Sequence, residues 1–175
     1  MTKEMVGFIV EHGKFKRAFQ DYLNYFFLVF PLAMASIGCS MLYAYFKFKD
    51  HGSLLFPAIC IISFGLFGIY YVLKRLHANT SFTSIPCNED IDLGDFSEKL
   101  KIVFKKAEIS PDKNLKTVEV VTRASAFSWG ERVTIVFESG RVLVNSQPYG
   151  QPITILKDSL NVKRVRGLIE GVRIQ

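Results

Sequence analysis

Two long uncharged apolar runs near the N-terminus constrain this chain more than any other feature of its sequence. The first run covers residues 22–46 and the second covers residues 52–73, and neither contains a formally charged side chain. A transmembrane helix needs roughly 20 apolar residues, so each run is long enough to cross a bilayer. Only residues 47–51 separate the two runs. The sequence therefore predicts a transmembrane helical hairpin to which the rest of the chain is attached.

The position of the hairpin divides the chain into four expected parts. Residues 1–21 form an interfacial N-terminal segment, and residues 22–75 form the hairpin. Residues 76–94 form a stalk with a first strand, and residues 95–175 form a soluble α+β domain. The part of the chain that follows the hairpin is long enough for one small domain with a modest core.

Basic residues are concentrated beside the hairpin. Residues 1–77 carry eight Lys and Arg against four Asp and Glu, whereas residues 78–175 carry fourteen against twelve. A nucleic-acid-binding protein would place its basic excess on the soluble domain, so nucleic acid is not an expected partner. Lys14, Lys16 and Arg17 either face anionic lipid headgroups as an interfacial segment or form an ordinary flank that sets the topology.

The distribution of Lys and Arg also predicts the orientation in the membrane. The two outer flanks of the hairpin carry six of these residues, whereas the loop between the runs carries two. Because cytoplasmic flanks are enriched in Lys and Arg, we expect an integral membrane protein with both termini in the cytoplasm. Membrane lipids are then its first partners.

Small residues repeat along one side of each apolar run. They are Ser36, Ser40 and Ala44 in the first run and Ala58, Gly65 and Gly68 in the second. Small side chains allow helices to approach closely in lipid, where burial of apolar surface supplies no driving force. The stripes predict either the seam within one hairpin or an interface between copies of the chain.

The remainder of the chain has the pattern of a small α+β domain. Residues 96, 100, 103, 104 and 107 are apolar at helical spacing, which predicts a helix over 95–107, and a second helix is expected over 159–170. Strands are expected over residues 80–85, 115–125, 132–138, 141–146 and 153–156, with a turn-rich break at 110–114 and a hairpin turn at Ser139-Gly140. We therefore expect an antiparallel sheet of four or five strands with two helices on one face.

The side chains that most enzymes require are missing from this domain. The three histidines all lie at or before residue 77, and Cys87 is the only cysteine after that point. A Ser-His-Asp or Cys-His system cannot be built from these residues, and no phosphate-binding or metal-binding motif occurs. Glu131 and Glu138 are interpreted as ordinary strand-end residues, although catalysis by carboxylates alone stays open. We expect no enzyme activity, no cofactor and no metal.

Two surface features are candidate contact sites. Trp129 lies in a strand connection, where it could anchor a partner or fold over the edge of the sheet. Lys163, Arg164 and Arg166 lie on the last helix, where they could bind phosphate, lipid headgroups or an acidic partner, or could form a solvated face.

Three short segments of the domain carry a resemblance to a known group of proteins. They are Ser128-Trp129-Gly130-Glu131, Val144-Asn145-Ser146 and Asn161-Val162-Lys163-Arg164-Val165. Residues 80–172 resemble small bacterial membrane-anchored proteins of unassigned function that end in a compact α+β domain. The resemblance implies a bacterial inner-membrane setting and supplies no catalytic residues.

These observations favour a non-enzymatic, membrane-anchored interaction module. Its hairpin anchors it and could oligomerise, and its cytoplasmic α+β domain binds a protein or a ligand. One alternative is an effector that perturbs the membrane when a ligand binds its soluble domain. The other is a small subunit of a larger membrane transport or secretion complex.

Overall fold

The chain folds into two compact units. The computed structural model describes residues 1–17, 22, 24–48, 52–87, 91–123, 130–149 and 157–171. One unit is Ala18–Leu76, and the other combines Met1–Arg17 with His77–Gln175. The sequence-based division separated residues 1–21 from the α+β domain, whereas the structure groups residues 1–17 with it.

The first unit consists of two long apolar helices. Helix α2 (Val29–Lys47) follows a 3₁₀ turn at Asn24–Leu28, and helix α3 (Leu55–Thr80) follows a 3₁₀ turn at Gly52–Leu54. Asn24–Lys47 and Leu55–Thr80 are long and apolar enough to cross a membrane, with mean hydropathies of 1.9 and 2.0. In the most apolar stretch of each helix, only 11% and 17% of the residues are buried. The core helix of a soluble protein would be mostly buried. The predicted helical hairpin is confirmed.

Close backbone contacts join the two apolar helices at glycines. A Cβ atom added to Gly65 would lie 2.7 Å from the Ala35 backbone nitrogen and 2.9 Å from the Pro31 carbonyl oxygen. A Cβ atom added to Gly38 would lie 2.6 Å from Ile62 Cγ1. A larger residue at either glycine would therefore push the helices apart.

The second unit contains a five-stranded antiparallel sheet with the order β1-β5-β4-β3-β2. Its strands are β1 (Thr83–Pro86), β2 (Glu108–Asp112), β3 (Thr117–Val121), β4 (Glu131–Glu138) and β5 (Arg141–Pro148). Its helices are α1 (Lys3–His12), α4 (Leu93–Val103) and α5 (Lys157–Ile169). The predicted α+β class and the predicted strand number are both confirmed.

Helices α4 and α5 cover one face of the sheet. Phe96 and Leu100 of α4, Phe104 directly after it and Val165 of α5 are buried with the side chains of the inner strand faces. Alternate residues of β4, such as Val133 and Ile135, point into this core, as the period-two pattern of a strand requires. In both helices, the apolar residues at helical spacing are those that pack on the sheet.

Helix α1 packs on the opposite face of the sheet. Its Ile9 side chain is fully buried against Val136 of β4 and Leu143 of β5, with Val6 and Val10 packed beside it. These three residues of α1 lie at positions i, i+3 and i+4, which form one side of a helix. The sheet therefore has a second, smaller core that the sequence interpretation of residues 1–21 did not include.

Strand β2 occupies most of the segment in which a turn-rich break was expected. That prediction is wrong over residues 110–112, which pair with β3. Pro111 is compatible with a strand here because β2 lies at an edge of the sheet, where a missing N–H group is tolerated. The turn follows instead at residues 113–116, where Asp112 Oδ1 accepts hydrogen bonds from the Asn114 and Leu115 backbone N–H groups.

Other element boundaries differ by a few residues. Helix α3 continues to Thr80, so β1 begins at Thr83 instead of Thr80. The Ser139-Gly140 turn joins β4 to β5 as predicted, and Gly140 has a φ of 81°, which favours glycine. The strand expected over residues 153–156 lies outside the described residues.

Candidate functional site

The basic cluster of the last helix lies on its outer side. Lys163, Arg164 and Arg166 are exposed, whereas Val165 between them is fully buried. The burial of Val165 against the sheet fixes the rotation of α5, because residues of one helix turn point in different directions. Helix α5 therefore presents three cations to the surroundings of the domain.

Two of these cations also have contacts within the chain. Arg164 Nη1 donates to Asn161 Oδ1 at 3.5 Å, and its guanidinium carbon lies 5.9 Å from the centre of the Phe104 ring. Arg166 Nε lies 4.0 Å from Glu170 Oε1. An exposed ion pair of this kind contributes little to stability, so the Arg166 side chain stays able to contact a partner.

Trp129, the other predicted contact residue, lies outside the described residues. The next residue, Gly130, has a φ of 91°, and its carbonyl oxygen accepts a hydrogen bond from the Tyr149 backbone N–H group at 3.0 Å.

A buried polar cluster lies where β4, β5 and α5 meet. Glu131 is 1% exposed, and its Oε2 atom accepts hydrogen bonds from Ser146 Oγ at 2.9 Å and from Asn161 Nδ2. Asn161 Nδ2 also lies 3.2 Å from Ser146 Oγ. The cluster joins one residue from each of the three segments that carry the sequence resemblance.

The burial of Glu131 corrects its interpretation as an ordinary strand-end residue. Buried polar groups are costly unless they are hydrogen-bonded, and here the carboxylate is bonded to side chains of another strand and a helix. The bonds fix the start of α5 against the sheet and, through Asn161, reach Arg164. The sequence signal for this cluster is limited to a polar residue in each of three separate short motifs. No local pattern predicts that these residues come together in the fold.

Asn145 binds the end of helix α3 where that helix enters the α+β unit. Its Nδ2 atom lies 3.4, 3.2 and 2.7 Å from the carbonyl oxygens of Ala78, Asn79 and Ser81. Helix C-termini leave carbonyl groups without helical partners, and a side-chain donor satisfies them. Asn145 is 1% exposed, so this cap is shielded from water.

The two points at which the chain passes between the α+β unit and the apolar helices are paired with each other. The Phe15 N–H group donates to the Thr80 carbonyl oxygen, and the Phe82 N–H group donates to the Gly13 carbonyl oxygen, both at 2.8 Å. The Phe15 and Phe82 rings are 4.7 Å apart. Backbone hydrogen bonds and a ring contact therefore join residues 13–15 to residues 80–82 within the α+β unit.

The basic residues predicted to meet the membrane surface lie beside this pairing. Lys14, Lys16 and Arg17 are all exposed, and Lys14 forms the β-bridge with Ser81. In the other unit, Lys74 lies over the Tyr70 ring and Arg75 lies over the Tyr71 ring, each at 5.6 Å.

The small residues predicted to pack the hairpin divide into two groups. In α3, Ala58 is fully buried, and a Cβ atom on Gly65 or Gly68 would meet Pro31 or Ala35. In α2, Ser36 and Ser40 are exposed and Ala44 is half-buried. The α2 side of the seam is instead formed by Pro31, Ala35 and Gly38.

Two cavities flank strand β3. One, of about 350 Å³, has Asp92, Lys113, Lys116 and Glu138 in its lining, so the charges of its described lining residues balance. Hydrogen bonds from the Asp95 and Gly94 backbone N–H groups hold the pKa of Asp92 below its usual value. The other cavity, of about 500 Å³, has Lys106, Glu108 and Arg123 as its charged lining residues.

Among the described residues, no group of three or more His, Cys, Asp or Glu side chains is placed to hold a metal ion. Comparisons of the chain with protein-family models, with curated proteins and with solved structures find no match.

Proposed function

We propose that this protein is a non-enzymatic, membrane-anchored binding module whose α+β domain lies in the cytoplasm. One observation carries the proposal: residues 1–17 and 77–175 form a single unit, so the apolar hairpin is inserted into the sequence of the domain. A domain carried on one flexible linker explores a wide volume. Here the chain leaves the domain at residue 17 and returns at residue 77, and the adjoining segments are paired.

The double connection suits a domain that must meet its partner close to a bilayer. The exposed cations of α5 are the surface that we assign to the partner, with Trp129 as a second contact. A protein partner with an acidic surface complements Lys163, Arg164 and Arg166, because electrostatic complementarity speeds association and selects partners. The Lys and Arg count of the flanks supports cytoplasmic termini, and the sequence resemblance supports a bacterial inner membrane.

The test is capture of a partner from native membranes in mild detergent, followed by mass spectrometry. We compare the wild-type chain with a Lys163→Glu, Arg166→Glu variant, which leaves the Arg164 contacts in place. A Lys3→Glu, Lys113→Glu variant makes the same change in net charge at exposed positions elsewhere. We expect the α5 variant to lose a stoichiometric partner that the control retains. Equal capture by both variants would contradict the proposed surface.

The second candidate function is a self-assembling effector that perturbs the membrane. The exposed Ser36 and Ser40 favour it, because this small-residue side of α2 is not used in the hairpin seam and could receive a second copy. Purified oligomers that release dye from liposomes would support this function. Oligomers that leave liposomes intact would argue against it.

A further inference from the structure

The cavity at the end of β3 has an excess of positive charge among its described lining residues. It lies where β2 begins and β3 ends, and Lys106 and Arg123 outnumber Glu108 among the charged lining residues that the structure describes. All three side chains are exposed, so they stay hydrated and able to exchange partners. This cavity, named here the basic groove, therefore attracts anions.

A third cation lies behind one wall of the basic groove. Tyr149 lines the groove, and the guanidinium carbon of Arg132 lies 5.0 Å from the centre of its ring. Arg132 Nε is buried and has no hydrogen-bond partner among the described residues. The stacked guanidinium fixes the Tyr149 ring and adds positive potential at the groove.

The backbone at Lys106 is strained. Lys106 has a φ of 65°, in the left-handed region. A residue with a Cβ atom is strained there, whereas glycine adopts this conformation freely. The turn after α4 therefore gains no conformational benefit from lysine, and glycine would relieve the strain.

One cation of the α5 surface lies close in the structure to the segment that carries Lys106. Arg164 of α5 lies over the Phe104 ring, and Phe104 precedes Lys106 by two residues. Among the residues that the structure describes, the cavity at the other end of β3 has no such excess, because Lys113 and Lys116 are balanced by Asp92 and Glu138. The two cavities are separated by β3, whose five residues span roughly 17 Å.

We propose that the basic groove binds the phosphate group of an anionic ligand. Lys106 and Arg123 would supply charge-assisted hydrogen bonds to phosphate oxygens, and the Tyr149 hydroxyl would supply a neutral donor. The inference rests on the proposed function, because it names the ligand class of the same binding domain. The phosphate belongs either to a lipid headgroup or to a soluble phosphorylated compound.

The experiment measures binding of inorganic phosphate to the full chain in nanodiscs of phosphate-free lipid. Binding is followed by the rise in melting temperature of the α+β unit, against chloride at equal ionic strength. We expect saturable stabilisation of the wild-type chain, weakened roughly tenfold or more by Arg123→Gln, since bonds to charged groups are worth this much.

Lys106→Gly and Lys116→Gly form a matched pair. Lys116 also has a left-handed φ, 50°, but it lines the balanced cavity. Each substitution relieves the same strain and removes the same charge, so both should raise the melting temperature without ligand. Only Lys106→Gly should weaken phosphate binding. Equal weakening by both variants would mean a general charge effect and would overturn the proposal, as would the absence of saturable binding.

A second arm identifies the source of the phosphate. If nanodiscs that contain phosphatidylglycerol abolish the effect of added phosphate, the groove is occupied by a headgroup. If the effect persists, the ligand is soluble, and either result supports the proposal. Capture of a protein partner by the Lys106→Gly variant separates the two proposals. If the chain captures its partner but binds no phosphate, the proposed function is supported and the phosphate-binding proposal is overturned.

Discussion

Single polar side chains fix the ends of several elements of this protein. Asp92 is the residue that caps helix α4. Its Oδ1 and Oδ2 atoms accept hydrogen bonds from the Gly94 and Asp95 N–H groups at 3.3 and 3.2 Å. Asn145 performs the corresponding task at the end of α3.

The cap at Asp92 predicts a specific pH dependence of stability. Because its pKa is lowered in the folded state, ionised Asp92 stabilises the fold above its unfolded pKa, and this contribution is lost as the pH falls through the folded value. Asp92→Ser retains a capping oxygen but does not titrate. As the pH falls from about 5 to about 2, the melting temperature of the wild type should decrease more than that of this variant. Equal losses by circular dichroism would contradict the assignment.

The cap at Asn145 predicts an order of stability among variants. Asn145→Ala should cost about 2 kcal/mol, because shielded carbonyl groups lose their donor. Asn145→Asp should cost more, since a carboxylate would face three carbonyl oxygens. Gln147→Ala, on the same strand face, is the control, and denaturant unfolding is the measurement. An Asp variant as stable as the wild type would show that the amide does not serve as a donor.

At the scale of elements, amphipathic and apolar patterns decide which surfaces meet. The α4 and α5 faces packed on the sheet are those with apolar residues at helical spacing. The hairpin follows a different rule, because its helices meet at glycines and leave large apolar side chains such as Phe26 and Phe56 exposed. Exposed apolar surface of this extent is typical of contact with lipid.

The glycine seam predicts that the hairpin is sensitive to volume at Gly65. Gly65→Val places new atoms against the Ala35 and Pro31 backbone, which cannot move without separating the helices. We expect a loss of about 1–3 kcal/mol, the usual cost of overpacking, measured by unfolding in mixed micelles. Ser36→Val adds a side chain at an exposed position of the same hairpin and should unfold like the wild type. Equal sensitivity of both variants would contradict the seam.

At the scale of the whole molecule, the α+β domain is assembled from two distant parts of the chain. Helix α1 supplies Ile9 to the second face of the sheet. Arg141 Nη2 donates to the Val10 carbonyl oxygen at 3.1 Å, across 131 residues of sequence. Residues 77–175 therefore lack one part of their own core.

This assembly predicts that a chain in which a short Gly-Ser linker replaces residues 18–76 folds as a water-soluble domain. Residues 77–175 alone should be less stable by at least about 2 kcal/mol, because the buried Ile9 side chain is lost. Ile9→Ala in the linked chain should reproduce most of that loss. Denaturant unfolding of the three chains is the measurement. Equal stability of residues 77–175 and the linked chain would show that α1 is dispensable.

The sequence by itself determined the features that depend on neighbouring residues. Charge-free runs determined the apolar helices, and periodic apolar residues determined the packed faces of α4 and α5 and the β4–β5 hairpin. Only the tertiary structure decided the strand at Pro111, the packing of Ile9 and the Glu131–Ser146–Asn161 cluster. Each of these depends on a partner that is distant in sequence: an edge position in the sheet, an uncovered sheet face, or donors on another strand and a helix. A local pattern contains no information about such partners, because the stabilising free energy comes from tertiary contacts that form only in the folded chain.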